Sequence, residues 1–190
     1  MSGIVCKLWN ISGNTQAKKS EKHLNDSLTY IMNDEKTGYS LEEIHMDSAS
    51  QLSRECKYVE NDLKTVGGAF VGVRNIKSAN LKEAVAEMME VKNFYEKSDG
   101  RTALHMMISL EEYESDVSNA GKLMRLCDDV LAELFPDNQA VYAVHTNTDN
   151  LHVHVIINSV GLNGKKIHQD NNFIKREVHR AVNIAAKKYG

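Results

Sequence analysis

Three histidines stand where two apolar runs of the chain approach one another. His145 closes the run Ala140-Val141-Tyr142-Ala143-Val144, and His152 and His154 lie in Leu151-His152-Val153-His154-Val155-Ile156-Ile157-Asn158. The β-branched Val153, Val155, Ile156 and Ile157 make the second run a buried strand. Alternate residues of a strand share a face about 6.5–7 Å apart, so His152 and His154 stand side by side. If the two runs pair antiparallel, His145 joins them. Three imidazoles with open positions describe a catalytic metal site rather than a closed structural one. The pair alone does not decide this, because a His-x-His on one strand face also serves as two solvated or hydrogen-bonded rings.

A metal names no reaction without a nucleophile, and Tyr30 is the candidate. On a helix, at about 100° per residue, Leu24, Leu28 and Ile31 form one stripe and Tyr30 falls about 120° from Leu24, off it. Such a position is also that of an ordinary exposed tyrosine. Phenols ionise near pH 10, so a tyrosine nucleophile needs a base or a nearby cation.

These residues must be held by a scaffold. The 190 residues suit a single domain, and with one proline, Pro136, and no Ser/Gly-rich linker nothing divides it. Ile4 to Trp9 reads as a strand. Ser20 caps a helix running to about Asn33. Residues 39–65 are polar and give no clear pattern. Ala69 to Val73 reads as a strand, and Asn80 to Lys97 as a helix with Leu81, Val85, Met88, Met89 and Phe94 inward. Thr102 to Leu110 is a strand containing His105, and Asp116 to Phe135 a helix. After the histidine strands, Asn163-Gly164 signals a tight hairpin that returns Lys165 to His168 as a short strand. Asn172 to Tyr189 is a closing helix with Ile174, Val178, Val182 and Ala185 inward. The pattern predicts an α+β fold: a mostly antiparallel sheet with helices largely on one face.

Composition narrows the setting. No apolar run approaches the roughly 20 residues of a membrane span, and the N-terminus lacks a signal-peptide core. Cys6, Cys56 and Cys127 are too few and too scattered for a disulfide framework or zinc ribbon; the simplest location is a reducing cytoplasm. The net charge of −3 is unusual for a nucleic-acid protein, but residues 165–190 hold seven Lys and Arg against two acidic residues. That polarity permits phosphate binding on one side and is equally that of a solvated helix face.

Three blocks of the chain resemble the motifs of Mob-type relaxases, the mobilization nucleases of plasmids and integrative elements. The first is Leu28-Thr29-Tyr30-Ile31-Met32-Asn33-Asp34-Glu35-Lys36-Thr37. The second comprises Glu87-Met88-Met89 through Phe94, Asp99-Gly100-Arg101 and His105-Met106-Met107-Ile108-Ser109. The third runs from His145 through Asn158-Ser159-Val160 to Gly164-Lys165-Lys166-Ile167-His168. The resemblance implies a histidine-hydrophobic-histidine endonuclease on a relaxase palm, a central antiparallel sheet related to the ferredoxin-like fold. It implies that Tyr30 attacks a phosphate of single-stranded or hairpin origin-of-transfer DNA, with His145, His152 and His154 holding magnesium or manganese. The product would be a 5′-phosphotyrosyl intermediate, and the strand can be rejoined. The implied partners are an accessory relaxosome protein and a type IV secretion coupling protein, with no insertion into a membrane.

Around that centre, His105, Asn147, Asp149 and Asn158 are candidates for orienting ligands or touching DNA. Lys165 and Lys166 are expected beside the DNA leading to the metal, because their hairpin springs from the histidine strand. The family often carries aspartate where Asn147 stands, and residues 39–68 form a longer spacer than usual. Residues 1–190 read as one nuclease domain, the N-terminal part of a longer protein. Other readings are a rolling-circle replication initiator with the same chemistry, a zinc-dependent hydrolase with water as nucleophile, and a non-enzymatic single-strand-binding module. The last wants clustered aromatics, and only 6% of residues are aromatic.

Overall fold

The computed structural model describes residues 4–12, 17–31, 70–77, 81–111, 116–146, 150–168 and 172–189. In chain order they form β1 (Val5–Ser12), α1 (Ala17–Ile31), β2 (Val71–Arg74), α2 (Leu81–Phe94), β3 (Arg101–Ser109), α3 (Ala120–Leu134), β4 (Ala140–His145), β5 (His152–Asn158) and α4 (His179–Tyr189). A short 3-10 turn, Val117–Asn119, leads into α3, and a π-helical stretch, Ile174–Val178, leads into α4. The strands make one sheet in the order β1-β3-β5-β4-β2, and every pairing is antiparallel. The α+β class with a central antiparallel sheet is therefore as the sequence indicates. Helix α1 begins before Ser20, because Ala17, Lys18 and Lys19 are themselves good helix formers. No helix among the described residues is long and apolar enough to cross a membrane.

The helices do not lie largely on one face. Leu104, Met106, Ile108, Tyr142, Val144, Val153, Val155 and Ile157 point to one side, where α3 and α4 cover them through Leu123, Cys127, Val130, Val182 and Ala185. Ala103, Val141 and Ile156 point to the other, under Leu24, Leu28 and Ile31 of α1 and Val85, Met88 and Met89 of α2. The reason is legible in β4 and β5. They carry apolar residues on consecutive positions, 140–144 and 155–157, and all but His152 of their residues are buried. Strands of that composition need cover on both sides.

Helix α2 departs from its expected stripe. Phe94 is 78% exposed and meets only the edge of Tyr95 among the ring contacts described, at 4.9 Å. Its place inside is taken by Lys92, which continues the 85, 88, 89 spacing and is fully buried. The Lys92 ammonium nitrogen donates to Ser159 Oγ at 2.8 Å, and the Ser159 hydroxyl donates to the Arg101 carbonyl at 2.6 Å. Burial, helped by the Lys166 charge, lowers the Lys92 pKa from an ordinary 10.5 to about 7.

Between those two values the unfolded chain carries a proton that the folded chain lacks, so stability rises with pH across that window and levels off below it. Lys92 is expected to make the fold about 2 kcal/mol more stable at pH 9 than at pH 7. Lys92→Met should remove that dependence and stabilise the protein at pH 7. Urea unfolding of both proteins at the two pH values measures it; an unchanged pH dependence in the variant would assign the effect to other groups.

The Asn163-Gly164 turn forms, with Gly164 at φ +75° and the Tyr95 ring 2.6 Å from where a Cβ would sit. Only glycine satisfies both conditions. The segment after it makes a single bridge, Val160 to Lys166, rather than a strand.

Candidate active site

The three histidines come together through register. β4 and β5 pair His145 directly with His152, and His154 lies two residues along, opposite Ala143. Alternation along each strand points all three rings to the face covered by α1. Their ligand nitrogens lie within 4.8 Å of one another. Ring centroids are separated by 5.2 Å for His145 and His152, 4.6 Å for His145 and His154, and 4.9 Å for His152 and His154. His145 and His154 are buried, at 2% and 6% exposure, and His152 is half-buried.

Backbone carbonyls select the tautomers. A carbonyl can only accept, so His145 Nε2 donates to the Ile31 carbonyl at 2.9 Å, which puts the ring's lone pair on Nδ1. His152 Nδ1 donates to the Asn150 carbonyl at 2.8 Å, which puts its lone pair on Nε2. His154 Nδ1 and His105 Nε2 are 2.8 Å apart. Burial lowers the His105 pKa, which favours its neutral ring, and a neutral ring accepts or donates at Nε2 according to its tautomer. The tautomer in which His154 Nδ1 donates is the one that leaves the His154 lone pair on Nε2 for a metal. Three imidazoles, each held through one ring nitrogen, are the arrangement a divalent ion requires of its ligands.

Tyr30 stands over this group. Leu24, Leu28 and Ile31 are each fully buried, whereas Tyr30, off their stripe, is 49% exposed. Its ring meets His154 at 5.7 Å, His145 at 6.1 Å and His105 at 6.5 Å, edge to face in each case. The His145 bond to Ile31 also engages a carbonyl in the last described turn of α1. One contact therefore orients a histidine and fixes the turn that carries the tyrosine.

Residues 58–190 match the family model described as "Relaxase: MobA/VirD2-like, nuclease domain". The chain belongs to this relaxase family. Protein TraI of Escherichia coli is 30% identical over 122 residues, which is 63% of this chain and 16% of that protein. Another Escherichia coli protein of the same name is 25% identical over 91 residues, 47% of this chain and 12% of the relative. The chain thus spans less than a fifth of these relatives. Within this relaxase domain the family match takes in His105, His145, His152 and His154, whereas Tyr30 precedes the matched residues.

The remaining candidates of the relaxase separate clearly. His105 joins the site, through His154. Asn158 does not: it is fully buried, and its amide donates to the Met88 carbonyl and to Gln139 Oε1, both at 3.0 Å. It ties α2 to the end of the sheet. Lys165 and Lys166 are not beside the histidines, because their turn leaves the far end of β5. The four steps along the strand from His154 to Asn158 alone span about 13 Å. The Lys166 ammonium is engaged by the Asp99 carbonyl. Asn147, Asp149 and residues 39–68 lie outside the described residues. Sequence reasoning missed Trp9. It pairs with His105 in the β1–β3 register, and their ring centroids are 5.0 Å apart. The signal was available: β1 alternates Cys6 and Leu8 inward with Val5, Lys7 and Trp9 on the other face, and Trp9 is the large aromatic on that less buried side.

Proposed function

We propose that this domain nicks single-stranded origin-of-transfer DNA by transesterification through Tyr30. The observation that carries the reading is the tyrosine ring set over three convergent histidines. The three imidazoles of His145, His152 and His154 fit a divalent ion, and the relaxase reading makes that ion magnesium or manganese; when bound it would supply undiminished positive charge for the non-bridging phosphate oxygens. Tyr30 Oη forms a bond to phosphorus as the bond from phosphorus to the 3′ oxygen breaks. The phenol gives up its proton and the 3′ oxygen takes one up. The products are a 5′-phosphotyrosyl adduct and a 3′-hydroxyl. Because the phosphoester is conserved on the protein, attack by that hydroxyl rejoins the strand.

The same reading has the domain act in conjugative mobilization, in the cytoplasm, with an accessory relaxosome protein and a secretion coupling protein as partners. Buried thiols at Cys6 and Cys127 are compatible with a reducing compartment. The test is incubation with labelled single-stranded DNA carrying the transfer origin, plus manganese or magnesium, followed by a denaturing gel. A protein-linked, slowly migrating band is expected. Cleavage without that band would make water the nucleophile and favour a metal hydrolase instead.

A further inference from the structure

Among the described residues, strand β1 is an edge of the sheet, and part of the face beside the histidines is open. The register sets Val5, Ser109, His152 and His145 in one row across four strands, with Lys7, Met107 and His154 in the next and Trp9 and His105 in a third. All share one face. Over β4 and β5 that face holds the histidine group. Over β1 and β3 it is accessible: Val5 is 49% exposed and Trp9 43%, Lys7 is exposed, and His105, Met107 and Ser109 are half-buried. Trp9 lies against His105 at 5.0 Å, and His105 is hydrogen-bonded to His154. The strip is therefore continuous with the candidate metal centre.

We infer that Trp9 is a stacking platform for an unpaired base of the strand whose phosphate lies at the three histidines. The inference rests on the single-stranded DNA reading above. An indole left 43% exposed offers a large flat apolar surface, and every nucleic-acid base presents a matching π-face only when unpaired and unstacked. Lys7, one row along the same strand face, supplies a cation for the adjoining backbone, so the strip combines the two elements of a single-strand track. A duplex would present phosphates to Lys7 but no base face to Trp9.

Trp9 is the chain's sole tryptophan, so its intrinsic fluorescence reports the contact directly. The probes are an oligothymidylate of about 16 nucleotides and the same length of abasic deoxyribose-phosphate chain, with binding followed independently by anisotropy of an end label. Quenching by the oligothymidylate and not by the abasic chain is expected. Trp9→Ala should weaken oligothymidylate binding roughly 5- to 150-fold, and Trp9→Phe should recover part of that loss. Binding of oligothymidylate with unchanged fluorescence, or equal affinity for Trp9→Ala, overturns the stacking role and leaves the DNA reading standing. Failure of the unaltered chain to bind oligothymidylate overturns both. The fluorescence comparison uses the unaltered protein, so it does not depend on any variant folding.

Discussion

Tyr30→Phe is expected to eliminate strand cleavage and the covalent adduct, with a rate loss on the order of 10⁴- to 10⁶-fold, the scale for removing a nucleophile. The substitution deletes one hydroxyl from a side chain that is 49% exposed. The ring, and with it the edge contacts to His105, His145 and His154, is retained. Stability should therefore change by no more than about 0.5 kcal/mol, and DNA binding should remain close to that of the unaltered chain. Denaturing gels for the adduct and anisotropy for binding separate the two effects. Persistence of an adduct in the variant would show that another tyrosine attacks, and Tyr39, nine residues on in the sequence, would be the next to replace.

The second large effect concerns the histidines. His152→Ala and His154→Ala should each lower manganese affinity by about 100-fold or more, since loss of a group that merely orients a ligand already costs about 10- to 100-fold. That smaller range is what His105→Ala should produce, because His105 reaches the centre through His154 at 2.8 Å. Calorimetric titration with manganese measures all three. His152, half-buried at the start of β5, should tolerate replacement in folding better than His154, which is 6% exposed. Unchanged affinity in both ligand variants would remove the metal centre from the account.

The parts of this site that follow from local period were readable in the sequence. A repeat of two puts His152 and His154 on one face, and a repeat of 3.6 separates Tyr30 from Leu24, Leu28 and Ile31. Both arrangements appear in the structure. What the period cannot supply is position along a strand relative to the next turn. β5 carries its histidines at the entry end and releases Lys165 and Lys166 from the exit end, so sharing a strand did not make them neighbours.

Residue type also misled where pattern was right. In α2 the helical spacing selects position 92 for the interior, and hydrophobicity alone pointed to Phe94 instead. Lys92 goes inside because Ser159 receives its nitrogen. The two-faced burial of the sheet was present in the consecutive apolar residues 140–144 of β4 and 155–157 of β5, a feature of strands covered on both sides.

The strand order has a consequence for when the domain becomes competent. β5 follows the other four strands in the chain, yet it lies at the centre of the sheet, between β3 and β4. It brings two of the three histidines with it. During synthesis, a ribosome that has not yet delivered residues 152–158 has made a chain whose β3 and β4 have no strand to join them. Chain growth is slow compared with the formation of local structure, so the nascent chain waits with β3 and β4 unjoined and only one of the three histidines made. Insertion of β5 closes the sheet and assembles the histidines in the same event, which couples closure of the sheet to the first appearance of the three-histidine group.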